Sequence, residues 1–338
     1  MTIAYDGTDF CGWQRQLGSA QRERAETARP AAGDRPFDDR VSGAERAPAA
    51  DAPREERHAQ GNEGDANGNG GEAPPADRLE PPSTATELRT VQGVVQAAVR
   101  EVVREPVEVI GASRTDSGVH ARGQVAAFTA SDGADRGRGW PAERGTEPLL
   151  RAINSRLPED VLARSIEVVS PRFDPIGDCV SKAYTYRLWV SPERPLWERR
   201  WVHHVWTRLD VERMREAAAE IVGEHDFAAF AAAGHGRLTT VRRVFECRVE
   251  ATERPSAGAT EGSVRNGGEP EQSIEIFVSG SGFLWHMVRI IAGTLYEVGR
   301  GRMDVAQVRE ALATGDRRKA GPTLPAKGLC LQWVRYDQ

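Results

Sequence analysis

The chain has 338 residues, 28% of them charged and 39% hydrophobic, with a formal net charge of −5 at pH 7. That length holds one large or two modest domains, and no apolar run approaches a membrane span, so no membrane partner is expected. Its four cysteines, Cys11, Cys179, Cys247 and Cys330, are scattered without metal-ligand or disulfide-framework spacing, which predicts reduced thiols and a cytoplasmic location.

The chain opens on strand-like Met1-Thr2-Ile3-Ala4-Tyr5 and a turn, with no signal-peptide pattern. From Leu17 to Glu87 the pattern breaks into Ala, Gly, Pro, Arg and acidic residues, with 15 Asp or Glu against 9 Arg. Such a segment cannot bury enough apolar area to offset its chain entropy, so a disordered, solvated insert is expected there. After it, Val91, Val94, Val95, Ala98, Val99 and Val102 fall on one face of a helix, which leads through Pro106 into a strand at Val107–Ala112. A second strand, Gln124–Phe128, follows a tight connection.

Farther on, Leu149–Leu157 reads as a short helix closed by Pro158. Strands are expected at Ser165–Val169, Ala183–Val190 and Trp201–Trp206. Asp210 caps a helix that buries Val211, Met214, Ala218 and Ile221. Val241–Glu250 and Ile274–Ser279 read as paired strands joined by hydrophilic Ala251–Ser273. Phe283–Val298 gives a helix with Met287, Ile290, Ile291, Leu295 and Val298 inward, and His286, Arg289 and Gly293 on another face. Asp304 caps a last helix, Val305–Leu312, and Leu329–Tyr336 returns as a closing strand. Strands outnumber helices without regular alternation, which predicts an α+β fold with a largely antiparallel or mixed sheet.

The charge is unevenly placed. The Leu17–Glu87 segment carries −6 and Ala251–Ser273 carries −2, leaving the folded body near +3 and able to face an anionic polymer without global repulsion. Of 45 basic residues only Lys182, Lys319 and Lys327 are lysine. Arginine's planar fork suits phosphate, but the accompanying abundance of Ala and Gly favours a GC-rich genome as the cause of the bias.

The most informative stretch is Ser113-Arg114-Thr115-Asp116-Ser117-Gly118-Val119-His120, which places one carboxylate on a rigid connection between strands. By itself it also reads as ordinary turn chemistry. It is accompanied by Tyr5-Asp6-Gly7-Thr8-Asp9-Phe10-Cys11-Gly12-Trp13-Gln14-Arg15-Gln16, Gly123-Gln124-Val125, Lys182-Ala183-Tyr184-Thr185-Tyr186, Phe283-Leu284-Trp285-His286-Met287-Val288-Arg289 and Lys327-Gly328-Leu329. In this order and spacing the set resembles the TruA family of tRNA pseudouridine synthases. The likeness covers nearly the whole chain outside the two hydrophilic segments.

The resemblance implies two similar strand-helix halves, 1–16 with 88–180 and 181–338, meeting at a central RNA-binding catalytic cleft. It also implies a tRNA substrate, target uridines 38 to 40 of the anticodon arm and a homodimer. Asp116 matches the family's essential aspartate, as nucleophile or as base. Tyr184 matches its active-site tyrosine, placed to stack on a flipped uracil and to position or accept the C5 proton. Arg289 is the expected partner of Asp116. Arg114 either keeps Asp116 ionised or contacts RNA phosphate. His286 is expected to orient neighbours or RNA, and Lys327 and Leu329 to line the uracil pocket. The isomerisation breaks C1′–N1 and rejoins the base through C5, so neither cofactor nor metal is expected.

One departure stands out: the family's Phe-x-Ala-Arg run is here Phe173-Asp174-Pro175-Ile176, without the arginine. A rival reading is a nucleosidase, which would recruit a second carboxylate such as Asp6 or Asp9. Another is an RNA-binding module without catalysis.

Overall fold

A computed structural model describes residues 1–14, 88–132, 137–232, 239–254 and 271–337. The Leu17–Glu87 segment and the middle of the Ala251–Ser273 stretch lie outside these residues. Ten strands and five α-helices are described. The strands are β1 Thr2–Tyr5, β2 Ile110–Gly111, β3 His120–Ala127, β4 Val161–Ser165, β5 Cys179–Val190, β6 His203–Val205, β7 Gly223–Asp226, β8 Val241–Arg254, β9 Glu271–Gly280 and β10 Leu329–Tyr336. The helices are α1 Val91–Val103, α2 Thr146–Asn154, α3 Val211–Ile221, α4 Met287–Gly299 and α5 Val305–Thr314. The fold is α+β around a mostly antiparallel mixed sheet.

The sheet runs β4-β1-β3-β10-β5-β9-β8-β7, with β2 on β3 and β6 on β5. This order contains one motif twice. Residues before β5 trace β1-α1-β2-β3-α2-β4 with spatial order β4-β1-β3-β2. Residues from β5 onward trace β5-α3-β8-β9-α4-β10, apart from β6, β7 and α5, with spatial order β10-β5-β9-β8. Both are the split β-α-β arrangement of the ferredoxin-like motif. They join where β3 and β10 pair in parallel, His120 opposite Cys330 and Ala121 opposite Leu331. The two-residue β2 covers only the far end of that edge, at Ala126 and Ala127, so the near end is free for β10.

Local chemistry explains most boundaries. Thr90 caps α1 by accepting the Gly93 N–H, and Asp210 caps α3 by accepting that of Arg213. Asp304 and Gln307 form a reciprocal capping box on α5, which ends at a left-handed Gly315. Helix α4 is buried along most of its length, from Met287 through Gly299, apart from Arg289, Tyr296 and Glu297. Among the described residues, no helix is long and apolar enough to cross a membrane.

Several expectations need correction. The strand foreseen at Val107–Ala112 shrinks to β2 because helix α1 takes its polar groups: Gln96 Oε1 accepts the Val109 N–H, and Gln92 and Arg100 donate to the Val109 and Val107 carbonyls. The strand foreseen at Ser165–Val169 is instead β4, since its partner β1 runs out at Thr2, opposite Ser165. Val168 is left 89% exposed. The short helix α2 ends at Asn154, ahead of Leu157, and Trp201–Trp206 pairs only over β6. Strand β7 has no counterpart in the sequence reading. Helix α4 starts at Met287 rather than Phe283, so His286 is its N-cap and not a member of a helix face.

Candidate active site

The Asp116 connection is braced by the N-terminal motif. Trp13 N–H donates to the Thr115 carbonyl at 3.0 Å, and Gly118 N–H to the Phe10 carbonyl at 3.3 Å. Ser117 Oγ donates to the Phe10 carbonyl at 3.1 Å, and the Tyr5 and Thr115 hydroxyls share a hydrogen bond of 2.8 Å. Gly12 makes the close approach possible: its φ is +95°, and a Cβ there would sit 2.7 Å from the Thr115 carbonyl oxygen. Gln124 clamps the start of the connection, its Oε1 taking the Ser113 N–H and its Nε2 donating to the Ser113 carbonyl.

Three side chains from the start of α4 converge on the carboxylate. Arg289 Nη1 lies 3.0 Å from Asp116 Oδ2, His286 Nε2 lies 3.3 Å from the same oxygen, and Trp285 Nε1 donates to Oδ1 at 3.1 Å. Arg289 is itself anchored, with Nε donating to the Leu324 carbonyl at 2.8 Å. The α4 cap is unusual, because His286 has φ 63°, a left-handed conformation that non-glycine residues seldom adopt. Burial lowers the His286 pKa, Asp116 opposes that shift, and the Arg289 and Arg317 cations push it lower.

Tyr184, on β5, is 6% exposed. Its hydroxyl shares a 2.9 Å hydrogen bond with Ser113 Oγ, and its ring meets Phe283 edge-on at 5.3 Å. Burial raises its pKa to about 12, the Ser113 bond lowering it and the Asp116 charge raising it in turn. The phenol therefore stays protonated at neutral pH. Tyr186 is fully buried and donates to the Pro325 carbonyl, while Lys182 Nζ donates to the Ala112 carbonyl.

The remaining expected site residues are placed differently. Arg114 is exposed. Among the described residues, the hydrogen bonds and ion pairs to the Asp116 carboxylate come from Trp285, His286 and Arg289, so the ion-pair alternative for Arg114 is not realised. Lys327 is exposed and Leu329 is 6% exposed, on a segment that abuts the Asp116 connection through Ala326 beside Gly118. At the sequence departure, Ile176 is 51% exposed, and Phe173 packs edge-on against Tyr336. Asp6 accepts from the Thr8 N–H and hydroxyl, and Asp9 from Arg200.

Sequence reasoning assigned no role to Trp285, Ser113, Gln124, Phe283 or His120. All five lay inside the quoted motifs, which was their only signal. His120 ties three segments together. Its Nδ1 accepts the Gly7 N–H at 3.0 Å, and its Nε2 donates to the Arg200 and Lys327 carbonyls at 2.9 and 3.2 Å. Asp6 Oδ1 also lies 3.1 Å from Nδ1, and burial lowers the His120 pKa while Asp6 opposes that shift. Among the described residues, no three His, Cys, Asp or Glu side chains gather as a metal site would require.

Residues 217–337 match the family model described as tRNA pseudouridine synthase. The chain is 38% identical over 247 residues to a Clostridium perfringens protein named tRNA pseudouridine synthase A 2, covering 73% of this chain and 90% of that protein. It is 40% identical over 247 residues to tRNA pseudouridine synthase A of Geotalea uraniireducens, with the same coverage of each chain. The protein of that name from Brevibacillus brevis is 38% identical over 247 residues, again 73% of this chain and 90% of the relative. A carboxylate held by an arginine, a histidine and an indole, beside a buried tyrosine, thus sits in a chain that belongs to the TruA family of tRNA pseudouridine synthases.

Proposed function

We propose that the protein isomerises uridine to pseudouridine at positions 38–40 of the tRNA anticodon arm, with Asp116 as the reacting carboxylate. The observation that carries this reading is the 3.0 Å pair between Arg289 and Asp116, built on a rigid connection in a chain of this family. Asp116 either attacks C1′, forming an ester that is released when C1′ bonds to C5, or takes a proton from the sugar and returns it in that same step. The C1′–N1 bond then breaks, the uracil turns, C1′ bonds to C5, and the C5 proton is lost as N1 gains one. Arg289 offsets the carboxylate charge and holds it in place. Tyr184, a protonated phenol, offers its ring to the flipped base and positions the proton at C5. Arg114, His286, Lys327 and Leu329 contact RNA or uracil around this centre. The enzyme acts as a homodimer in the cytoplasm, a part of the reading supported by family membership alone.

The test is incubation with uridine-containing tRNA transcripts, followed by carbodiimide labelling and primer extension, with light scattering for the dimer. Product at the anticodon arm and unchanged RNA mass are expected. Free uracil would show a nucleosidase, with Asp6 or Asp9 as its second carboxylate, and the absence of any reaction would favour an RNA-binding module.

A further inference from the structure

We propose that Trp285 is a positioning residue for Asp116: its indole N–H is the second point of attachment that fixes the plane of the carboxylate. The inference rests on the functional reading above for what the carboxylate does, and on geometry for how it is held. Arg289 reaches Asp116 through one nitrogen only, Nη1 at 3.0 Å from Oδ2, because its Nε is committed to the Leu324 carbonyl. His286 Nε2 approaches that same Oδ2 at 3.3 Å. The Cβ–Cγ torsion of a carboxylate is broad and two-fold, and turning it moves both oxygens, so donors on one oxygen resist the turn less than donors on both. Trp285 Nε1, donating to Oδ1 at 3.1 Å, removes that freedom.

The donor is itself well held. Its carbonyl accepts the Ala232 N–H at 3.0 Å, and its ring lies against the His286 ring at 4.5 Å between centroids. The left-handed His286, at φ 63°, allows two consecutive side chains, 285 and 286, to face one carboxylate. Strain of this kind persists where surrounding contacts over-determine it. A carboxylate has about four acceptor sites, two on each oxygen. Trp285 donates to Oδ1 and Arg289 to Oδ2, with His286 Nε2 3.3 Å from Oδ2, so donors flank both oxygens. Trp285 therefore fixes the orientation of the carboxylate that does the chemistry.

Trp285→Phe keeps an aromatic ring and removes the N–H. The side chain is 47% exposed, so the variant should fold, and its melting temperature is measured as a control. Single-turnover pseudouridine formation is expected to slow by about 10- to 100-fold, the scale set by a misplaced reacting group, with tRNA affinity in filter binding changed by less than about three-fold. A wild-type rate would overturn the proposal, and so would lost affinity with the rate kept, which would make Trp285 an RNA contact. A crystal structure of Trp285→Phe gives a readout independent of activity: the Asp116 carboxylate is expected in more than one orientation. A single orientation matching the parent would overturn the proposal. Absence of pseudouridine from the parent enzyme would count against the functional reading instead, and would leave that structural readout in force.

Discussion

Asp116 is held by partners that each contribute something a similar residue cannot. Asp116→Asn keeps the shape and the turn, so folding should survive within about 1 kcal/mol. It cannot attack C1′ or accept a sugar proton, and turnover should fall by at least about 10⁴-fold with tRNA still bound. Retention of a tenth of parental turnover, in the labelling assay, would remove the central claim. Arg289 uses two edges of its guanidinium at once, Nε on Leu324 and Nη1 on Asp116. Arg289→Lys keeps the charge and loses the fork, so turnover should drop by about 10- to 100-fold while tRNA affinity changes little. Weakened binding with intact single-turnover chemistry would make Arg289 a phosphate contact. The residue types at this centre were legible in the motifs. The resemblance supplied Arg289 as a partner 173 residues away, but nothing in the sequence pointed to the Trp285 contact across 169 residues.

At the scale of elements, the Asp116 connection depends on backbone packed against backbone. Gly12, at φ +95° and with the Thr115 carbonyl 2.7 Å from any added Cβ, lets the N-terminal motif lie on the Asp116 connection. Gly12→Ala should cost about 1–3 kcal/mol and move the carboxylate off its partners. A lowered melting temperature together with lost turnover checks this, and an unchanged pair of values would refute it. A second close approach occurs at Gly293 of α4, where an added Cβ would lie 1.8 Å from the Pro322 carbonyl oxygen. That contact keeps α4 beside the segment whose Leu324 carbonyl anchors Arg289. Caps were readable because they are local, as Asp210 and Asp304 show. The α4 start was misplaced because the apolar period continues back through Phe283 and Leu284, while the left-handed His286 leaves no mark on periodicity.

For the whole molecule, the repeated β-α-β-β-α-β order puts the Asp116 connection in one half and α4 in the other, so the site belongs to both. The residues flanking the hydrophilic segment are bonded to one another: Cys11 N–H to the Arg89 carbonyl at 2.8 Å, and Gln92 N–H to the Trp13 carbonyl at 2.9 Å. Deleting Leu17–Glu87 and joining Gln16 to Leu88 through a short linker should therefore shift the melting temperature by no more than about 4 °C and preserve most turnover. A large fall in both would give that segment a structural role. Stability should also depend on pH through His203, whose pKa burial lowers from 6.5 to about 4, aided by Lys327 and His204. The folded state thus favours neutral imidazole. The stabilisation is fully present above pH 6.5 and is lost as pH falls through about 4. Allowing for partial solvent screening, this is about 1–2 kcal/mol. His203→Gln should flatten that part of the melting temperature's acid-side decline, and an identical pH profile would contradict the assignment.

Periodicity and caps determined the helices and most strands, and motif order determined the family, because each is written in neighbouring residues. Even Leu329–Tyr336 was recoverable as a strand from its own eight residues. Only the tertiary structure decided that this strand pairs in parallel with β3, that Gln92, Gln96 and Arg100 take the place of a strand partner for residues 107–109, and that Trp285 and His286 join Arg289 on one carboxylate. The physical reason is range. Backbone propensity and side-chain periodicity act within a turn or two. The partner that satisfies a given hydrogen bond is selected by packing among segments far apart in the chain.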